Sequence, residues 1–159
     1  MIAIIRTRKD GRSKALCKLD IMNFTESQVR DRMEESGIKD DTFFICGFSD
    51  WRIDRIMSLS ETYLLKKCIN ELYDGDDFVV RYLLEKGYSI LKIVSQYYLF
   101  ISKDEIEVMR YLLKNSDLDS VIEFWFKTKT WLNAIGVYIE NGELLNTKKG
   151  FYVKKLEGG

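Results

Sequence analysis

Residues 1–21 read MIAIIRTRKDGRSKALCKLDI, and the fold of the first half of the chain turns on them. Ile2-Ala3-Ile4-Ile5 is rich in β-branched residues, which suit a pleated, half-buried strand. Asp10-Gly11 is a turn dipeptide, because both residue types tolerate positive φ. From Ala15 to Ile21 polar and apolar residues alternate imperfectly, with Leu16 and Ile21 against Lys18 and Asp20. The pattern predicts a β-hairpin. The same stretch gathers cations: Arg6, Arg8, Lys9, Arg12, Lys14 and Lys18 stand against a single acid, Asp10, within the first eighteen residues. Two readings are open. A hairpin tip is solvated, so the cations keep it soluble; or they form a contact surface for phosphates.

The next signals predict helix and strand in turn. Thr25 and Gln28 have capping-box spacing, Phe24 and Val29 suit a hydrophobic staple, and Gly37 is a natural C-terminal stop. Thr42 to Phe48 is an aromatic-rich strand. Residues 1–56 therefore read as a ββαβ unit. From 57 to 126 helices dominate. Ser58 and Glu61 repeat the capping-box spacing, and Tyr63, Leu64, Leu65, Cys68, Ile69 and Leu72 recur every three to four residues. Asp74-Gly75-Asp76-Asp77 is a turn, followed by a helix from Phe78 to Lys86 that buries Val79, Val80, Leu83 and Leu84. Ser89 caps a third helix, Tyr97–Ile101 is either a short strand or that helix's end, Ser102 and Glu105 open a fourth, and Asp117–Phe126 is a fifth. Residues 127–159 read as a helix over Trp131–Ile139 and a closing hairpin, its strands Glu143–Thr147 and Phe151–Lys155 joined by Lys148-Lys149-Gly150. The expected class is α+β, in three parts bounded at 56 and 126.

Composition narrows the chemistry. Of 159 residues, 25 are basic and 25 acidic, so net charge is zero. There is no histidine, which removes His-based general bases, Ser-His and Cys-His pairs and most zinc sites. Cys17, Cys46 and Cys68 form no CxxC pair, so they are expected as reduced, small apolar residues. No apolar run reaches the roughly 18–20 residues that span a bilayer. The N-terminal apolar stretch is too short for a signal peptide. A cytosolic location with no membrane partner is expected. Asp50, Asp54 and Glu61 could in principle hold Mg²⁺, but their spacing matches no two-metal motif, and no Gly-rich phosphate loop is present. The expectation is a non-enzyme without a cofactor; metal-independent RNA cleavage helped by Lys or Arg stays open.

At both ends the chain resembles the ArdA-type antirestriction proteins. FTESQVRDRMEESGIKDDTFFICGFSD, followed by SLSETYLLKKCINEL, is similar to that family's N-terminal half, through Thr25, Gly37, Phe44, Ile45, Phe48, Leu59 and Leu65. WLNAIGVYIENGELLNTKKGFYVKK is similar to its closing segment, through Ala134, Gly136, Gly142, Gly150, Phe151 and Val153. The resemblance implies an ArdA-like fold and an anti-defence protein of a phage or mobile element. Members are elongated, often dimeric, strongly acidic and not enzymes. They imitate the phosphate charge of DNA to occupy type I restriction-modification enzymes. Related small proteins are candidate inhibitors of CRISPR effector nucleases.

The zero net charge departs from that pattern. A DNA mimic needs a large negative charge to compete for a cationic groove. Asp74, Asp76 and Asp77 form one local acidic patch, and Asp104, Glu105 and Glu107 another; both are equally ordinary as helix N-terminal acids. The charge balance turns the expectation toward a type II CRISPR effector, whose guide RNA offers phosphates to the basic hairpin. A type I restriction enzyme is the alternative target, and a small nucleic-acid-binding regulatory protein the second alternative. A homodimer is possible in sequence terms. Expected contact residues are the six hairpin cations with Trp51, Arg52 and Arg55, read as an exposed anchor beside two cations, and Lys148 and Lys149. The last two belong to a C-terminal basic set with Lys127, Lys129, Lys154 and Lys155, which would extend the hairpin's cations into one stripe if the two hairpins packed together. Tyr97, Tyr98, Phe100, Trp125, Phe126 and Trp131 are either core residues or base-stacking platforms.

Overall fold

The structure, a computed structural model, describes residues 1–156; the side chains of Trp131 and Leu132 and residues 157–159 lie outside it. The chain is α+β, with two antiparallel sheets and seven α-helices among the described residues. Its contacts divide it into two units, Met1–Val94 and Ser95–Gly159. The helices expected between 57 and 126 are shared between these two units.

The first unit begins with the expected hairpin, β1 (Ile2–Lys9) and β2 (Arg12–Asp20). A single 3₁₀ turn at Ile21–Asn23 leads to α1 (Glu26–Glu35). Thr25 and Gln28 make a complete capping box, and Gly37, at φ +72°, ends the helix. Strand β3 (Phe43–Phe48) follows, then β4 (Ile53–Met57), which the sequence reading missed. The unit is thus ββαββ rather than ββαβ, with strand order β2-β1-β3-β4. β1 is central, bonded to β2 along its length and to β3 from Ala3 to Thr7.

Three helices complete the unit. α2 (Leu59–Leu72) carries the second predicted capping box, Ser58 with Glu61. α3 (Phe78–Glu85) and α4 (Ile90–Val94) follow. The core holds Ala3, Ile5, Val29, Ile45, Phe48, Leu65, Ile69, Val80, Leu83 and Ile93, each no more than 1 % exposed. Ala3 and Ile5 of β1, and Phe43 and Ile45 of β3, alternate into the covered face of the sheet. On α4, Ile90 and Ile93 are buried while Leu91 is 74 % exposed.

The second unit contains β5 (Tyr98–Ser102), α5 (Glu105–Leu113), α6 (Leu118–Thr128), α7 (Trp131–Glu140), β6 (Leu144–Asn146) and β7 (Phe151–Lys154). β7 is the central strand of a β5-β7-β6 sheet, so the closing hairpin is present and gains a third strand. Val108, Met109, Ala134, Ile135, Leu144 and Phe151 form its core. The cap of α5 is Asp104, not Ser102; Ser102 instead accepts from the Asp104 N–H. No helix among the described residues is long and apolar enough to cross a membrane.

Candidate nucleic-acid interface

The basic hairpin closes through Asp10 and Gly11, at φ +51° and +72°. Two consecutive residues with positive φ make the tight turn whose twist matches that of the strands. Lys9 therefore stands opposite Arg12, Thr7 opposite Lys14 and Arg8 opposite Ser13. Arg8, Lys9, Arg12, Lys14 and Lys18 are exposed and Arg6 is half-buried. Among the described residues none of the six forms a salt bridge. Two are nonetheless fixed. Arg6 donates from Nε to Ser13 Oγ at 2.7 Å and from Nη2 to the Ser13 carbonyl at 3.2 Å. The Arg8 guanidinium lies 4.8 Å from the centroid of the Phe44 ring.

Strand alternation sorts these residues by face. Ala3 and Ile5 are buried, so Ile4, Arg6 and Arg8 point away from the helices. Register places Lys18 opposite Ile4, and Arg6 opposite Phe44. Phe44 is half-buried between the buried Phe43 and Ile45, and Cys46 is half-buried between Ile45 and the buried Gly47. On β4 the exposed Asp54 and Ile56 share this open face. Its hairpin end is cationic and aromatic, its centre apolar, and its outer strand β4 carries Asp54.

The other expected contact residues are placed differently. Trp51 is not an exposed anchor: it is 4 % exposed, its Nε1–H donates to Asp77 Oδ2 at 3.0 Å, and its ring centroid is 4.7 Å from that of Phe48. Arg52 is exposed beside it in the β3–β4 turn, at φ +57°, and Arg55 is half-buried on β4. The acidic patch is local structure. Asp74 is exposed in a turn at φ +50°, Asp76 Oδ1 accepts from the Phe78 N–H at 3.0 Å, and Asp77 holds the Trp51 indole and lies 3.7 Å from Arg81. Asp104 caps α5, and Glu107 pairs with Arg110 at 3.0 Å.

Lys148 and Lys149 belong to the second unit, in the β6–β7 turn. Thr147 Oγ1 braces that turn, accepting from the Lys149 N–H at 3.2 Å and donating to the Gly150 carbonyl at 2.9 Å. Lys148 is exposed, and the Lys149 ammonium lies 5.4 Å from the Phe100 centroid. Of the aromatics, Tyr98 is core at 2 % exposure, whereas Phe100, Trp125 and Phe126 are exposed. Trp131's side chain falls outside the described residues.

Two of the carboxylates weighed for Mg²⁺ have other work, and the third, Asp54, is exposed on β4. Asp50 accepts from the Ile2 N–H at 2.8 Å and pairs with the Met1 ammonium at 2.9 Å, while Glu61 closes the α2 cap. Burial opposes ionisation of Asp50, but these two donors outweigh it and hold the carboxyl below its ordinary value. No group of three or more His, Cys, Asp or Glu is placed to hold a metal among the described residues. Phe44, read from the sequence as a strand residue and as part of the family resemblance, was not expected at the contact surface. Its signal is the alternation Phe43-Phe44-Ile45-Cys46, which sends Phe44 to the face of Arg6 and Arg8 once β3 is paired with β1. Compared with known proteins, the chain matches no family model, no curated protein and no solved structure.

Proposed function

We propose that this chain is an anti-defence inhibitor of a phage or mobile element that binds and blocks a bacterial nucleic-acid-targeting immune complex in the host cytosol. The preferred target is a type II CRISPR effector nuclease, with the basic hairpin docked on phosphates of the complex. The observation that carries the reading is the hairpin itself. Six cations sit on one tightly turned β-ribbon, with no ion pair to an acid among the described residues. Such a surface gains free energy mainly by releasing counterions from a polyanion. Zero net charge argues against imitation of DNA. So does the use of Asp76 and Asp77 in capping and in holding Trp51. ArdA-type inhibition of a type I restriction enzyme is for that reason the weaker alternative.

The test is phage plating on hosts carrying either a type II CRISPR system or a type I restriction system. Expected is rescue of phage from the CRISPR host, lost when Arg6, Arg8, Lys9, Arg12 and Lys14 are all replaced by Ala with the thermal transition retained. Rescue confined to the restriction host, and lost instead when Asp74, Asp76 and Asp77 are neutralised, would reverse the order. A nucleic-acid-binding regulatory protein is the second reading, favoured by the same hairpin. It takes first place if neither host is rescued while the purified protein still binds nucleic acid.

A further inference from the structure

The six cations are not all presented alike. Lys9, Arg12 and Lys14 stand around the turn, where any polyanion can reach them. Arg6, Arg8 and Lys18 lie along the open face of the sheet, beside Phe44 and the apolar Ile4, Cys46 and Ile56. We propose that this face holds a single unpaired strand of RNA, with a base stacked on the Arg8–Phe44 pair and phosphates on Arg6 and Lys18. The proposal rests on reading the hairpin as a nucleic-acid contact surface and names the form of nucleic acid it takes.

Two observations, the Arg8–Phe44 pair and the apolar centre of the face, favour an unpaired strand over a duplex, and the fixed Arg6 readies the site for a phosphate. The guanidinium of Arg8 is backed by the Phe44 ring, 4.8 Å from its centroid, so its outer side is presented to solvent with its orientation already set. Arginine planes and aromatic rings are the surfaces on which splayed bases stack, whereas a duplex keeps its bases stacked on one another. Arg6 is fixed by two hydrogen bonds to Ser13, which leave Nη1 to meet a phosphate with little further loss of side-chain freedom. The apolar residues at the centre of the face suit base and ribose, and would be wasted on a duplex backbone. Asp54 lies in the same cross-strand row as Lys18 and Ile4 but on the outer strand β4, where it repels phosphates, so the footprint keeps to the β2, β1 and β3 side of the face.

The experiment measures fluorescence anisotropy of the full chain with a labelled ten-nucleotide oligouridylate and with an RNA duplex of ten base pairs, at several salt concentrations. Expected is at least about tenfold tighter binding of the strand than of the duplex. Phe44→Leu, which keeps apolar volume but removes the ring, should lose about tenfold on the strand, and Phe44→Tyr should keep wild-type affinity. Arg6→Ala, which removes a phosphate contact, should flatten the dependence of log K on log salt by about 0.7. Arg8→Lys should keep the salt slope yet lose the preference for the strand, a result that a purely structural role for Phe44 would not produce. Equal or tighter binding of the duplex overturns the proposal. So does unchanged strand binding in Phe44→Leu and Arg8→Lys when Lys9→Ala/Arg12→Ala/Lys14→Ala abolishes binding; the hairpin reading then survives, with the tip as its contact. If the wild type binds neither probe, both fall.

Discussion

Trp51 donates its indole N–H to Asp77 across 3.0 Å, joining the β3–β4 turn to the start of α3. The two residues are 26 apart in sequence. Asp77 occupies the position before the helix but makes no side-chain cap bond, so its carboxylate serves the indole and Arg81 instead. Trp51→Phe should lower stability by about 1–3 kcal/mol, from lost volume and a carboxylate stripped of its donor. Asp77→Asn keeps an acceptor and should cost less. Urea midpoints of both variants check the order; equal losses would contradict it.

Arg30 gathers a polar knot between α1 and α2. It pairs with Glu26 at 2.6 Å and with Asp40, and donates to Ser60 Oγ at 3.0 Å, while Ser60 donates to Glu26 at 3.0 Å. The Arg30 hydrogen bond, helped by Ser60, holds the Glu26 carboxyl below its ordinary value against the effect of burial. A carboxyl lowered on folding binds protons more readily in the unfolded chain. Its contribution is therefore complete above the unfolded value, about 4.3, and is lost as pH falls through the folded value. Denaturation at pH 3 to 7 should show stability declining toward the acid end. The decline should be shallower in Glu26→Gln, whose amide does not titrate, and the difference modest because the pair is only partly buried.

Lys66 is spent on structure. Its ammonium donates to the carbonyls of Ile21, Met22 and Phe24 at 2.9, 3.2 and 2.8 Å, around the 3₁₀ turn. Tyr63 donates to the same Phe24 carbonyl at 2.8 Å, and burial with the nearby Glu26 charge pushes its phenol up to about 12. Lys66→Met should cost about 1–3 kcal/mol, because three half-buried carbonyls lose a donor. Tyr63→Phe should cost about 1 kcal/mol, and the double variant should depart from additivity because both share one acceptor. Thermal or urea unfolding of the four proteins supplies the cycle; strict additivity would count against a shared acceptor.

Gly47 permits the close approach of β3 and β4. Its φ is +153°, and a Cβ there would fall 2.1 Å from the Ile53 carbonyl oxygen, a backbone atom that cannot swing aside. Gly47→Ala should cost about 3 kcal/mol or more. Gly11→Ala, at φ +72° with nothing within 4 Å, meets only the backbone penalty of about 1 kcal/mol. The two unfolding transitions, measured side by side, separate collision from dihedral strain.

What could be read in advance was what neighbours in sequence decide. The hairpin turn at Asp10-Gly11 and the capping boxes of Thr25 and Ser58 each involve residues at most three apart, and all are present. Failures came where distant residues decide. Ile53–Met57 escaped because its charged Asp54 and Arg55 mask a strand that exists by pairing with β3. Ser102 looked like a cap until β5 claimed it as its last residue. Trp51 looked exposed beside Arg52 and Arg55 because its acceptor, Asp77, lies in another element. The site divided likewise: its cations were legible, while Phe44 beneath Arg8 depends on strand register, which local sequence does not encode.

The division of the hairpin into root and tip has an evolutionary consequence. β1 is bonded on both sides up to Thr7, and beyond Arg8 only β2 flanks it. Substitutions at Lys9, Arg12 or Lys14 therefore touch little that the core needs, whereas those at Ala3 or Ile5 reach its centre. Selection on what this molecule grips can act at the tip, almost independently of selection on how it folds.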